Sequence, residues 1–244
     1  MSSGSAHFPF SDAVHVTGDF HVDHRDVLTH IFPLLTPERQ GRMFDVVKGR
    51  TGTVIPVLEN LYDRGNISAV LRSAEAFGLY QVHMIELGEK FKESQRTTAG
   101  ADKWVETRKW KSTRSCVEHL RGQGYRIVAT HLSADAKPIE AIDFTQPTAL
   151  VLGNEKEGIT SEMAELADDR VILPMFGFVQ SFNISVAGAL AFYQVVQDRV
   201  KRRGGQGDLS PEQQDILRAV YSLRTLDSAA DILFRLRDEG KLRA

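Results

Sequence analysis

Three stretches of this chain combine residue types and spacings suited to chemistry on a small polar ligand. The first is Gly153-Asn-Glu-Lys-Glu-Gly158, followed by Ile159. It places two glycines, an amide and a carboxylate within six residues. Two readings stand: a tight turn whose glycines supply backbone freedom, or a backbone cradle in which Glu155 accepts hydrogen bonds. The second is Ile172–Ala187, ILPMFGFVQSFNISVA. Pro174 ends a strand and Gly177 permits a sharp turn. Phe176 and Phe178 stand where a connection is ordinarily polar. Gln180, Ser181 and Asn183 then lead into a helix start, which is normal capping chemistry. The apolar loop before that cap is less ordinary, and it suits the wall of a pocket for a flat ring. The third is Asn66–Gly78, NISAVLRSAEAFG, in which Arg72 falls off the apolar stripe. An exposed helix arginine ordinarily only solvates, but this one follows a strand end.

Familiar fingerprints are absent. No G-x-G-x-x-G follows a strand, so a Rossmann dinucleotide site is not expected. Gly153 and Gly158 are spaced as in a P-loop, yet Ile159 and Thr160 stand where Lys and Ser/Thr would grip phosphate and magnesium. There is no G-x-S-x-G elbow and no H-E-x-x-H. One cysteine, Cys116, excludes an intramolecular disulfide and a cysteine-rich metal site. His21-x-x-His24 offers only two ligands, so no metal is expected.

The elements that must position these residues alternate strand and helix from Thr53 onward. Strands fit Thr53–Leu58, Gln81–Leu87, Tyr125–Thr130, Thr148–Leu152 and Arg170–Leu173. Helices fit between them: one capped by Asn66 and closed by Gly78, one from Ser112 to Arg121 that buries Cys116, Val117 and Leu120, and one over Thr160–Ala167. Asn183 opens a long helix with Val186, Leu190, Tyr193 and Val196 on one face. The alternation implies an α/β fold with a mainly parallel sheet. Ligands of such sheets bind at the carboxyl ends of strands, where the three stretches lie. Before the core, Thr36 caps a short helix with Pro37 in its first turn. Residues 1–30 read as a loosely attached extension. After Lys201, RRGGQGDLS reads as a hinge, followed by helices over Pro211–Leu223 and Ser228–Lys241.

Composition is that of an ordinary globular chain, 42% hydrophobic and 25% charged, with net charge −2. No apolar run is long enough for a membrane span. The first residues lack a basic start and apolar block, so a cytoplasmic location is expected. The total charge does not announce a nucleic-acid partner. Local basic stretches do exist: Arg39, Arg42, Lys48 and Arg50, then Arg199, Lys201, Arg202 and Arg203.

Taken in order, Asn66 and Arg72 with SAEAFG, then LGNEKEGI, then Ile172–Ala187, resemble the SpoU/TrmH branch of the SPOUT methyltransferases. The resemblance runs from about Val54 to Val200, and Ala129-Thr-His-Leu-Ser133 fits the same pattern. It implies a SPOUT fold whose C-terminal segment forms a trefoil knot, a threading that general topology rules would exclude. It implies S-adenosylmethionine as methyl donor, no metal, a homodimer and an RNA ribose 2′-hydroxyl as acceptor. On this resemblance Arg72 is the catalytic residue, supported by Asn66, and Glu155, Ser181 and Asn183 shape the place where ribose meets donor. Thr130, His131, Gly153, Asn154, Gly158, Ile172, Leu173 and Phe182 would line the cofactor site. Phe182 replaces the leucine expected there, a mild change if the contact is a backbone amide. A guanidinium with pKa above about 12 is an awkward general base. Either a substrate phosphate perturbs Arg72, or Arg72 orients phosphate and hydroxyl while the proton leaves elsewhere.

The expected organisation is an N-terminal extension over residues 1–50, a methyltransferase domain over 51–203 and a C-terminal helical extension over 204–244. RNA affinity must come from basic groups outside the knot. Arg39, Arg42, Arg199 and Arg202 are the expected contacts. The short N-terminal part favours tRNA, with guanosine 18 of the D-loop as the expected target. The alternatives are ribosomal RNA, another tRNA position, or a knotted RNA-binding protein without catalysis.

Overall fold

The computed structural model describes residues 8–87, 103–154, 156–179 and 181–243. Two compact units emerge, one from residues 51–206 and one from residues 8–50 with 207–243.

The first unit is built on the expected α/β alternation. Its strands are β3 (Val54–Glu59), β4 (Gln81–Ile85), β5 (Glu106–Trp110), β6 (Arg126–Thr130), β7 (Lys137–Pro138), β8 (Thr148–Leu152) and β9 (Asp169–Ile172). They form a seven-stranded sheet in the order β5-β4-β3-β8-β6-β9-β7. Every pairing is parallel. β3 and β8 are adjacent, with Leu58 beside Leu152, so both end at the same edge. Both are buried along their whole length, as strands covered on two faces must be.

Helices α3 (Arg64–Ala76), α4 (Thr113–Gly122), α5 (Ser161–Leu166) and α6 (Ile184–Arg203) cover the sheet. Their starts follow capping chemistry. Ser112, Thr160 and Asn183 each accept a backbone N–H of the first turn. α3 differs from expectation: its cap is Asp63, which accepts from the Asn66 N–H, so Asn66 lies inside the first turn. The apolar stripe begins only at Ile67, which hid that first turn. Gly78 does close α3, at φ +79°. α6 packs Ile184, Gly188, Ala191, Phe192 and Val195 into the core. Of the stripe seen in the sequence, Val186, Leu190 and Tyr193 point outward at 46, 42 and 53% exposure, while Val196 is half-buried. α6 is therefore apolar on two sides, with Gly188 and Ala191 among its inward residues allowing a close approach. A Cβ on Gly188 would already sit 3.3 Å from Leu152 Cδ1.

The second unit corrects the reading of residues 1–30 wherever they are described. β1 (Ala13–Thr17) and β2 (Phe20–Asp23) form an antiparallel hairpin that turns at Gly18, φ +52°, and α1 (His24–His30) follows. Val14, Val22 and Val27 point inward and are buried. α2 (Pro37–Lys48) starts at the Thr36 cap as expected. α7 (Pro211–Thr225) opens with a capping box between Ser210 and Gln213, and α8 (Ala229–Asp238) completes the unit. Phe20 stacks on Phe234 at 4.7 Å, joining hairpin to α8. The RRGGQGDLS stretch is no open hinge at Gly207, where a Cβ would lie 1.7 Å from the Lys48 carbonyl oxygen. Only glycine permits that approach. Arg50 is buried beneath the Tyr221 ring rather than facing solvent.

Candidate active site

Residues from three strand ends and one helix start meet at one cavity of about 360 Å³. That lies within the roughly 300–1,000 Å³ usual for small-molecule sites. Thr130, His131 and Leu132 come from the end of β6. Gly153, Asn154, Lys156, Glu157 and Gly158 follow β8. Val171, Ile172, Leu173 and Met175 come from β9 and the loop beyond it. Ser181, Phe182, Ile184 and Ala187 begin α6.

The loop after β8 is tightly determined. A Cβ on Gly153 would fall 2.4 Å from the Gly158 carbonyl carbon and the Ile159 nitrogen, so the incoming and outgoing chains touch. Asn154 and Gly158 exchange backbone hydrogen bonds, each of 2.8 Å. Asn154 Oδ1 accepts from the Lys156 and Glu157 amides. Gly158 adopts φ +69° to close the loop. At the neighbouring strand ends, Thr130 Oγ1 donates to the Val151 carbonyl and the His131 amide to the Val171 carbonyl. The cavity thus has apolar walls in Val171, Leu173, Ile184 and Ala187, with backbone groups between them. This donor set fits a nucleoside with an apolar-walled ring and a polar edge. It offers no cluster of metal-ligating side chains among the described residues.

The expected catalytic residues do not all meet at the cavity. Ser181 lines the cavity. Asn183, two residues on, donates from Nδ2 to Asn66 Oδ1 at 3.2 Å. This single amide–amide bond ties the α6 entrance to the first turn of α3. Arg72 is exposed on α3 and makes no ion pair among the described residues. It does not line the cavity. Six residues separate it from Asn66, roughly 9 Å along a helix axis. Glu155 and Gln180 lie outside the described residues. Lys156, Glu157 and Met175 line the cavity without having been singled out beforehand. The loop composition marked the region but not which side chains turn inward.

Of the expected RNA contacts, Arg39 and Arg42 are exposed on α2. Arg199 is a correction. It is fully buried, with Nη1 donating to the Phe144 carbonyl at 2.8 Å and Nη2 to the Gln206 carbonyl at 2.9 Å. Its guanidinium holds backbone and cannot meet a phosphate. Arg202 is partly exposed, and its charge is engaged by the buried Asp198 at 2.6 Å.

A methyltransferase architecture is what solved structures with this fold show. The chain is similar to the A. aeolicus TrmH/SpoU tRNA modifying enzyme, at TM-score 0.68 and 30% identity, covering 78% of this chain and 98% of that one. It is also similar to an AdoMet-bound rRNA methyltransferase from Sinorhizobium meliloti, at TM-score 0.54 and 25% identity, over 64% of this chain and 59% of that one. Residues 53–193 match the SpoU rRNA Methylase family, and the chain belongs to it. Among curated relatives, the tRNA (guanosine(18)-2'-O)-methyltransferase of Escherichia coli (strain K12) is 38% identical over 165 residues, 68% of this chain and 72% of that protein.

Proposed function

We propose that this chain transfers a methyl group from S-adenosylmethionine to the ribose 2′-hydroxyl of guanosine 18 in tRNA. One observation carries the reading. A single cavity is walled by both Gly153–Gly158 and the Ile172–Ala187 segment, and the Asn183–Asn66 bond links it to the helix bearing Arg72. The names and the identity of the relatives support the substrate. Threading of these two segments into a trefoil knot belongs to the same proposal.

S-adenosylmethionine, when bound, supplies a methyl activated by its sulfonium. The protein's task is alignment and proton removal. Leu173, Ile184 and Ala187 would exclude water from one side of the donor, and the backbone of Gly153–Gly158 would fix its polar edge. Asn66 and Asn183 would set the approach of the ribose. Arg72, with no competing carboxylate among the described residues, is free to hold the phosphate beside that ribose. The donor held there would supply its methyl to the ribose oxygen, and Arg72 would hold the neighbouring phosphate so that the hydroxyl proton could pass to it or to water.

Arg39 and Arg42 are proposed to meet tRNA phosphates. The outward stripe of α6, Val186, Leu190, Tyr193 and Val200, is 42–53% exposed and is proposed to seat a second copy of the chain. Among the described residues no helix is long and apolar enough to cross a membrane, and a cytoplasmic site of action is proposed.

The test is incubation with unmodified tRNA and labelled S-adenosylmethionine, then nucleoside mapping. Label in 2′-O-methylguanosine at position 18 is expected. Label elsewhere would move the target, and no label in tRNA or ribosomal RNA would overturn the reading.

A further inference from the structure

Glu59, the last residue of β3, is fully buried and does not line the cavity. Its carboxylate nevertheless gathers three hydrogen bonds. Oε2 accepts from the Thr160 amide at 2.8 Å. Oε1 accepts from the Thr160 hydroxyl at 2.9 Å and the Thr113 hydroxyl at 2.7 Å. Among the described residues it makes no ion pair. A buried carboxylate held only by neutral donors is costly unless those donors are fixed in place. Here they lie at the N-terminal ends of α4 and α5, where free N–H groups favour negative charge.

Its neighbour Asn60 acts on the same loop from the other end. Asn60 is the one non-glycine among the described residues with positive φ, +60°. That conformation is uncommon for a residue with a Cβ. It turns the Asn60 carbonyl toward Asn154 Nδ2, at 3.0 Å. So one dipeptide at the end of β3 grips the cavity loop where it enters, at Asn154, and where it leaves, at Thr160. Between those grips lie Lys156, Glu157 and Gly158, which wall the cavity.

We infer that Glu59 is a positioning residue for the cofactor loop, acting through Thr160, with Asn60 fixing the opposite end. The inference rests on the proposed S-adenosylmethionine site. It separates that role from plain structural support, because Thr113 bonds the same carboxylate without touching the loop.

The test is calorimetric binding of S-adenosylhomocysteine to the full chain, with thermal unfolding alongside. Thr160→Val is expected to raise Kd about tenfold, equal to about 1.4 kcal/mol. Thr160→Ser should restore it. Glu59→Gln should raise Kd similarly, and the Glu59→Gln/Thr160→Val double variant should show no further increase, because both changes open one link. Thr113→Val should lower Tm while holding Kd within twofold. Unchanged Kd in Thr160→Val, additive effects in the double variant, or an equal rise in Thr113→Val would each overturn the inference. Wild type that fails to bind S-adenosylhomocysteine at all would instead overturn the proposed cofactor site.

Discussion

Replacing Arg199 with alanine tests whether a basic run near a helix end serves RNA or the core. Arg199 and Asp198 grip the two sides of one residue. The Phe144 amide donates to Asp198 Oδ2 at 2.8 Å, and the Phe144 carbonyl accepts from Arg199 Nη1. Phe144 itself is fully buried in the cluster with Val195 and Leu150. Removing the guanidinium strips hydrogen bonds from the Phe144 and Gln206 carbonyls and leaves both without that donor. Each buried carbonyl left without its donor costs about 1–3 kcal/mol, so two cost about 2–6 kcal/mol. For a chain of this size each kcal/mol lowers Tm by about 2–4 °C, so a fall of roughly 4–24 °C is expected. The tRNA arm of the assay is independent. A lysine or arginine on a phosphate adds about one to the slope of log affinity against log salt. Arg199→Ala should leave that slope unchanged, measured well below its Tm, whereas Arg39→Ala should lower it by about one. An Arg199→Ala protein with unaltered Tm and a slope reduced by one would refute the assignment.

Other expectations follow from the same contacts. Arg72→Ala should abolish methyl transfer while S-adenosylhomocysteine binding persists, since Arg72 stands apart from the cavity; turnover near the wild-type rate would exclude it from the reaction. Gly153→Ala should abolish cofactor binding in calorimetry, because its Cβ would overlap the Gly158–Ile159 backbone. Tyr193→Glu or Leu190→Glu on the outward stripe of α6 should shift sedimentation from the proposed dimer to monomer with little change in helicity. Burial pushes the Cys116 thiol up to about 12, so labelling by iodoacetamide at pH 8 should stay slow until the chain unfolds. Burial raises the Glu86 carboxyl, but Lys109 and Lys111 outweigh it and hold it below its usual value. The folded state therefore binds this proton less readily than the unfolded chain. The associated stability is present above about pH 4.5 and lost as acid protonates Glu86, a decline that Glu86→Gln should flatten in unfolding curves.

The elements that were legible in the sequence share a cause. β3, β6 and β8 are buried on both faces, so their apolar runs announce them. α4, α5 and α6 begin at Ser112, Thr160 and Asn183, whose side chains satisfy their own first turns, a signal confined to a few residues. β5 escaped notice because ETRKW carries no apolar run. It is a sheet-edge strand among the described residues, and its burial pattern is mostly exposed. The hairpin β1–β2 escaped for another reason. Val14 and Val22 alternate with His15 and His21, but the partner that gives Phe20 a place is Phe234, more than two hundred residues away.

The site shows the same division between local and distant causes. The cavity loops were readable because glycine at Gly153 and Gly158 and a cap at Asn183 are local demands of a turn and a helix start. The residues that the family resemblance implied at the cofactor, Thr130, His131, Gly153, Asn154, Gly158, Ile172, Leu173 and Phe182, all line one cavity. Arg199 and Arg50 misled because charge in a sequence says nothing about which backbone carbonyls will come to meet it. Glu59 was silent for the mirror-image cause. A glutamate ending a strand has no spacing rule. Its meaning comes only from Thr113 and Thr160, which lie 54 and 101 residues onward and are brought to it by α4 and α5. Side chains that answer their own turn can be found from the sequence, whereas those that answer a distant backbone need the fold first.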